Sequence, residues 1–201
     1  MPKENPVHLK TVARRNARAL WTAALSSGKL AHKNITKHST TSRGFRGIIL
    51  GVDPSLRGTG LAVVDNRGSE PKLLASETLS MHASVPTHIC LARIYEAALR
   101  LASSYEAKAM ALEATVYVQN LRTVHILGAS RGASLAAAGM LGLEVAEYAP
   151  TRIKLAVTGN GKASKEQVGG MVRSALRLTE DLPLDESDAA AAALCHGWSS
   201  R

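Results

Sequence analysis

Apolar positions begin to recur at structured spacings from residue 48 onward. The run 48–53 (IILGVD) is apolar and closes on an acid, and 60–65 (GLAVVD) repeats that pattern. Between them PSLRGT is turn chemistry, so the two runs predict a β-hairpin, with 72–79 as a third strand. Ile89, Ala92, Ile94, Ala97, Ala98 and Leu101 recur at helical spacing and predict an amphipathic helix over 88–105. A short buried strand follows at 109–112 and ends at Glu113. Residues 123–141, rich in Ala and Leu, read as a second helix, and 144–148 as a last strand. Helical segments then cover 151–157, 165–178 and 185–195. Three antiparallel strands followed by alternating helices and strands indicate an α/β fold, a mixed sheet with helices on both faces.

Upstream the pattern changes. Ala13, Ala17, Leu20, Trp21 and Ala24 form a weak helical stripe, with Arg14, Arg15 and Arg18 mostly off it, and 26–47 is polar and basic. The expected organisation is a basic, largely flexible N-terminal arm (1–47) and one globular domain (48–201).

Charge sharpens this division. The chain of 201 residues carries 25 Lys+Arg against 16 Asp+Glu, a formal +9. Residues 1–47 hold a single acid, Glu4, and account for the whole excess; the remainder is neutral. A basic balance points to nucleic acid or an anionic surface. With four Tyr, two Trp and one Phe, binding of single strands on aromatic platforms is a poor fit. At 45% hydrophobic the chain can bury a core, which excludes wholesale disorder. The longest apolar stretch, around Gly132 to Leu143, is too short to span a bilayer, so no membrane role is expected. Cys90 and Cys195 are far apart, without metal-ligand spacing, and read as small buried side chains in a reducing compartment.

Four acids stand at the ends of elements. Asp53 ends the first strand, Glu113 a later one, and Asp185 and Asp188 open the last helix at i, i+3, on one face. Taken singly, each has an ordinary reading: Asp53 as a turn residue before Pro54, Glu113 as a solvated strand end, Asp185 and Asp188 as an N-cap and a first-turn acid. Taken together they predict a cluster. Two carboxylates about 4 Å apart repel by roughly 4 kcal/mol at an effective dielectric near 20. Four such groups stay ionised only around cations, and an all-oxygen set selects Mg²⁺ or Mn²⁺. Two ions about 3.5–4 Å apart serve phosphodiester hydrolysis, so the cluster predicts a nuclease.

The segments ILGVDPSLRGTGLAVVD, ALEATVYVQN, LGASRG, VTGNGKASKEQV and DESDAAAAALCH, in that order, resemble the RuvC family of Holliday junction resolvases. The resemblance spans 48–198 and none of the arm. It implies a ribonuclease H-like fold, a homodimer, and four acids that hold two Mg²⁺ ions per site, with Mn²⁺ as a substitute. Those acids fall on Asp53, Glu113, Asp185 and Asp188. The implied activity is resolution of four-way DNA junctions in recombination and repair, by symmetric nicks on two strands of like polarity that leave 5′-phosphate and 3′-hydroxyl ends. Lys165 matches a lysine placed to stabilise charge on the scissile phosphate, and Lys154 one that holds the backbone. Lys162, Arg122 and Arg131 are candidate DNA contacts, although solvation explains the arginines equally well. The resemblance also suggests a branch-migration helicase as a partner.

The sequence departs from the family pattern in two places. Ser55 stands where relatives usually carry Gly, with Gly58 and Gly60 available to keep the turn flexible. Three residues after Glu113, where relatives carry a Phe that wedges into the junction, stands Val116, followed by Tyr117. Tyr117 is the candidate replacement. Other readings stay open: a nuclease of the same fold acting on flaps or RNA–DNA hybrids, a non-catalytic junction binder, and a kinase of the actin-like fold, for which the chain lacks a second lobe. The arm reads as a nucleic-acid-binding extension, an organelle transit peptide or a segment of little function. The implied compartment is the bacterial cytoplasm and nucleoid, or an organelle if the arm is a transit peptide.

Overall fold

A computed structural model describes residues 44–114 and 121–199, with the side chains of 121 and 122 outside the description. Five strands form one sheet: β1 (Ile48–Asp53), β2 (Gly58–Asp65), β3 (Lys72–Ser80), β4 (Ala109–Glu113) and β5 (Glu144–Tyr148). Their order is β3-β2-β1-β4-β5. The first three strands are antiparallel, whereas β4 runs parallel to β1 and β5 parallel to β4. The helices are α1 (Thr87–Ser104), α2 (Leu121–Leu141), α3 (Pro150–Thr158), α4 (Lys165–Leu176) and α5 (Leu184–Trp198).

Strand alternation assigns the two faces. Leu50, Val52, Leu61, Val63, Met110 and Leu112 pack against Ala97, Ala98 and Leu101 of α1 and Ala137 and Ala138 of α2. Ile49, Ala62, Val64 and Ala111 face the other way, onto α3, α4 and α5. The expected mixed sheet with helices on both faces is therefore present, and each predicted strand and helix of the domain exists within a few residues of its expected ends.

The differences have local causes. β2 starts at Gly58, two residues earlier than the apolar pattern suggests, because Gly58 still pairs with Ser80. Neither Gly58 nor Gly60 is among the glycines with positive φ, which are Gly142 and Gly159. Their smallness serves close packing instead of turn flexibility. A Cβ on Gly60 would collide with the Asp185 carbonyl, and one on Gly51 with that of Ala189. α5, with Ala189, Ala190, Ala191, Ala192 and Ala193 all buried, thus lies directly on β1 and β2. α4 stops at Leu176 because Arg177 turns left-handed at φ 55°.

A third small core joins Leu56 of the β1–β2 turn to Met81, Cys90 and Ile94, with Ile126 of α2 against it. The chain is already held to the domain before β1. Asn66 Nδ2 donates to the Phe45 carbonyl at 2.6 Å, and the Phe45 ring stacks on His196 with centroids 4.7 Å apart. Both cysteines are buried with free thiols. No helix among the described residues is long and apolar enough to cross a membrane.

Candidate active site

Parity carries two of the acids to one place. Ile49 and Ala111 sit on the α5 face, so by period two Asp53 and Glu113 at the strand ends also turn that way. β1 and β4 are parallel and pair through Val52 and Leu112; the next step of that register sets Asp53 beside Glu113. α5 arrives with Asp188 one turn inside its start. The three acids line an open cleft of about 240 Å³ together with Lys154 of α3, Lys165 of α4 and the apolar wall Pro150, Ile153, Val168 and Ala191.

The position of each lysine follows from its helix. Lys165 is the first residue of α4, which Ser164 and Gln167 start with a reciprocal capping box. The fixed start aims the side chain at α5, and Nζ donates to Asp188 Oδ2 at 2.8 Å. Lys154 lies mid-helix in α3, which ends at Gly159 in a left-handed cap with φ 75°.

The electrostatics are those of crowded carboxylates. Burial, then repulsion from Asp188, Glu113 and Asp185, pushes the Asp53 carboxyl up to about 7 from 3.8, with Lys165 opposing. Burial and Asp188 push Glu113 up as well, while Lys165 and Lys154 pull it down. The hydrogen bond to Asp188 raises Lys165 in turn. Asp185 acts on Asp53 through its charge but lies outside the cleft lining, on the β2 side beside Gly58 and Gly60. It is not the N-cap of α5, since Pro183 holds that position without any side-chain cap.

The donor set can be weighed for a cation. Among the described residues no three acidic, histidine or cysteine side chains already close into an ion cage. Asp188 instead holds the Lys165 ammonium. The chemistry of the donors nevertheless fits a hard divalent ion: four carboxylates within electrostatic reach, no sulfur, and two acids held up by burial first and by their carboxylate neighbours second.

A family profile described as Crossover junction endodeoxyribonuclease RuvC matches residues 49–196. The chain belongs to the RuvC family. A RuvC from Halorhodospira halophila is 43% identical over 148 residues, which cover 74% of this chain and 88% of the relative. The Thermus thermophilus RuvC in complex with Holliday junction substrate superposes with a TM-score of 0.72 at 32% identity, covering 76% of this chain and 94% of that one. The yeast mitochondrial Holliday junction resolvase, 10% identical with a TM-score of 0.51, shares the fold, over 81% of this chain and 80% of that one. The sheet and its two helical layers are the ribonuclease H-like architecture of RuvC proteins.

Not every candidate joins the cleft of this RuvC domain. Arg131 on α2 is paired with Glu147 of β5, its Nε donating to Oε2 at 3.1 Å. Lys162 is exposed in the α3–α4 turn and outside the cleft lining. Tyr117, Val116 and the Arg122 side chain lie outside the described residues, as does the arm up to residue 43.

Two residues near the site had no sequence signal. Arg57, in the turn that follows Asp53, donates to the carbonyls of His82 and Val85 at 2.7 and 2.8 Å and to that of Ala83 at 3.1 Å, stapling the loop before α1. Glu186, between Asp185 and Asp188, reads as an ordinary first-turn acid, yet its partners are on β3, more than 100 residues earlier.

Proposed function

We propose that this chain resolves four-way DNA junctions by paired, symmetric nicks, as a homodimer with two Mg²⁺ ions at each active site. The observation that carries the proposal is the convergence of Asp53, Glu113 and Asp188 with Lys154 and Lys165 around one cleft. The relatives' names and the junction-bound Thermus thermophilus structure support the choice of substrate.

Asp53, Glu113, Asp185 and Asp188 would hold the metal. When bound, such ions polarise the scissile phosphate and activate water for in-line displacement. The chain's own groups do the rest. Asp53, whose carboxyl is pushed up to about 7 by burial and then by its acidic neighbours, would bind the cation as a carboxylate. Lys165, now spent on Asp188, becomes available to a phosphate oxygen that enters the cleft. Lys154, on the facing helix, supplies a second positive contact for the backbone. The apolar wall of Pro150, Ile153 and Val168 limits water around the reacting phosphate.

Paired nicking needs two such clefts, and a second copy supplies the other. The outward face of α2 supports this: among the described residues a Cβ on Gly128, Gly132 or Gly139 would meet nothing within 4 Å, and Met140, Leu141 and Val145 are exposed apolar side chains. A flat face of small residues with an apolar end suits helix-to-helix pairing.

The test incubates purified protein with a synthetic four-way junction, a flap and an RNA–DNA hybrid, each with Mg²⁺, Mn²⁺ or EDTA. Paired nicking of the junction that EDTA stops is the expected result. Equal cutting of the hybrid overturns the substrate assignment. Asp53→Asn should bind the junction and not cut it.

A further inference from the structure

We infer that Glu186 is a positioning residue, whose carboxylate, gripped by the Ser76 and Thr78 hydroxyls of β3, fixes the first turn of α5 and through it Asp185 and Asp188. The inference rests on the reading of those two aspartates as acids of the reaction site.

The start of α5 needs an anchor. Its N-cap, Pro183, offers no side-chain acceptor to the first backbone amides. Leu184, the first helical residue, is 65% exposed and cannot serve as an apolar peg. An uncapped first turn frays readily. Yet this turn carries Asp185 and leads straight into Asp188, two acids whose usefulness depends on being held within fractions of an ångström. Gly60 lets the turn sit down on β2, which blocks motion toward the sheet but none away from it.

Glu186 supplies the missing hold. Its Oε2 accepts from Ser76 Oγ at 2.5 Å and its Oε1 from Thr78 Oγ1 at 3.2 Å. Ser76 and Thr78 are two apart on β3, so both hydroxyls face the same side. They pair with Ala62 and Gly60 on β2, and Gly60 lies against the carbonyl of Asp185, the residue before Glu186. A fork with one hydroxyl on each oxygen restrains rotation as well as lift, and bonds to an ionised acceptor are the stronger kind. Glu186 is absent from the cleft lining, and two residues along a helix it points away from Asp188. It therefore acts through its neighbours and not on the reacting atoms.

The experiment uses full-length Glu186→Ala, Glu186→Gln and the double variant Ser76→Ala/Thr78→Val, with Asp188→Asn alongside. Four quantities are read: amide hydrogen exchange at Ser187, which donates to the Pro183 carbonyl, and at Asp188, the Mg²⁺ midpoint of the thermal shift, junction Kd, and single-turnover cleavage. In Glu186→Ala and in the double variant, exchange should speed up about tenfold or more, and the Mg²⁺ midpoint and the cleavage rate should each worsen by about 10- to 100-fold. Junction Kd should stay within about twofold, since every group that meets phosphate is retained. Glu186→Gln, which keeps an oxygen acceptor, should recover most of the loss. Adding Glu186→Ala to the double variant should change little, because the three side chains form one device.

Unchanged exchange and midpoint in Glu186→Ala overturn the inference, as does a Gln variant as impaired as Ala, which would assign the effect to charge alone. Should Glu186→Ala fail to fold, the hydroxyl-deletion and Gln variants decide by the same criteria. If Asp188→Asn cleaves normally, the site reading itself falls. If Asp188→Asn is dead while Glu186→Ala behaves as wild type, only the clamp falls.

Discussion

Asp53 is held where an ionised carboxylate is least welcome, buried at a strand end and facing Asp188, Glu113 and Asp185. Its carboxyl titrates near 7 in the folded chain against 3.8 for the free group. Below about pH 3.8 it is protonated in both states and contributes nothing to their difference. Between 3.8 and 7 the folded state binds the proton more tightly, so stability falls as pH rises. Above 7 both states are ionised and the full penalty is present, with a ceiling of about 4 kcal/mol for a carboxyl raised this far. Asp53→Asn should therefore leave the metal-free protein's stability unchanged at about pH 3 and raise it by about 1–4 kcal/mol at about pH 8, measured by urea denaturation. Saturating Mg²⁺ should narrow that gap, because a cation among the acids stabilises only the carboxylate form. A gap of equal size at both pH values would show that folding does not raise the Asp53 carboxyl. This residue was legible in the sequence because strand parity and a terminal acid are local signals. Glu186 was not, because its meaning depends on Ser76 and Thr78, which only the folded sheet brings to it.

Among the elements, α5 decides the site, and its packing explains what periodicity left out. The alanine run reads as a helix but carries no sign that this is the central, wholly buried one. What makes it so is a pair of glycines on two other elements, Gly51 and Gly60, which admit the helix backbone. A glycine in a strand is compatible with a bulge, a turn or a close approach, and only the partner's position separates these. The structure chooses close approach. Gly60→Ala places a methyl against the Asp185 backbone, which is rigid and cannot swing aside as a side chain could. The first turn of α5 must lift. The expected outcome is a stability loss of about 1–3 kcal/mol in urea denaturation. A larger proportional loss of junction cleavage should accompany it at a temperature where the variant remains folded. Cleavage that tracks only the folded fraction would show that the height of α5 over β2 is not critical to the acids.

For the whole molecule, the whole excess of positive charge lies in residues 1–47, and the domain that follows is neutral. The arm's charge was visible at once in the sequence, whereas the place where the domain begins was not. An apolar pattern starts at Ile48, yet the domain already claims the preceding turn. Asn66 binds the Phe45 carbonyl through its side chain and the Gly47 carbonyl through its backbone at 2.9 Å, Arg46 reaches the Gly68 carbonyl, and Phe45 covers His196. Two truncations therefore separate charge from structure. Removal of residues 1–43 takes away every cation of the arm except Arg46 and leaves this belt in place. If the arm meets the phosphate backbone, the slope of log K against log salt for junction binding should flatten by about 0.9 for each phosphate no longer neutralised. The melting temperature and Mg²⁺-dependent nicking should persist. Removal of residues 1–46 should flatten the slope at least as much but also lower stability by about 1–3 kcal/mol, since a partly buried Phe and its backbone partners go with it. A slope that does not change in the shorter truncation assigns the arm a role other than DNA binding. Equal stability in the two truncations would show instead that the belt contributes nothing to the domain.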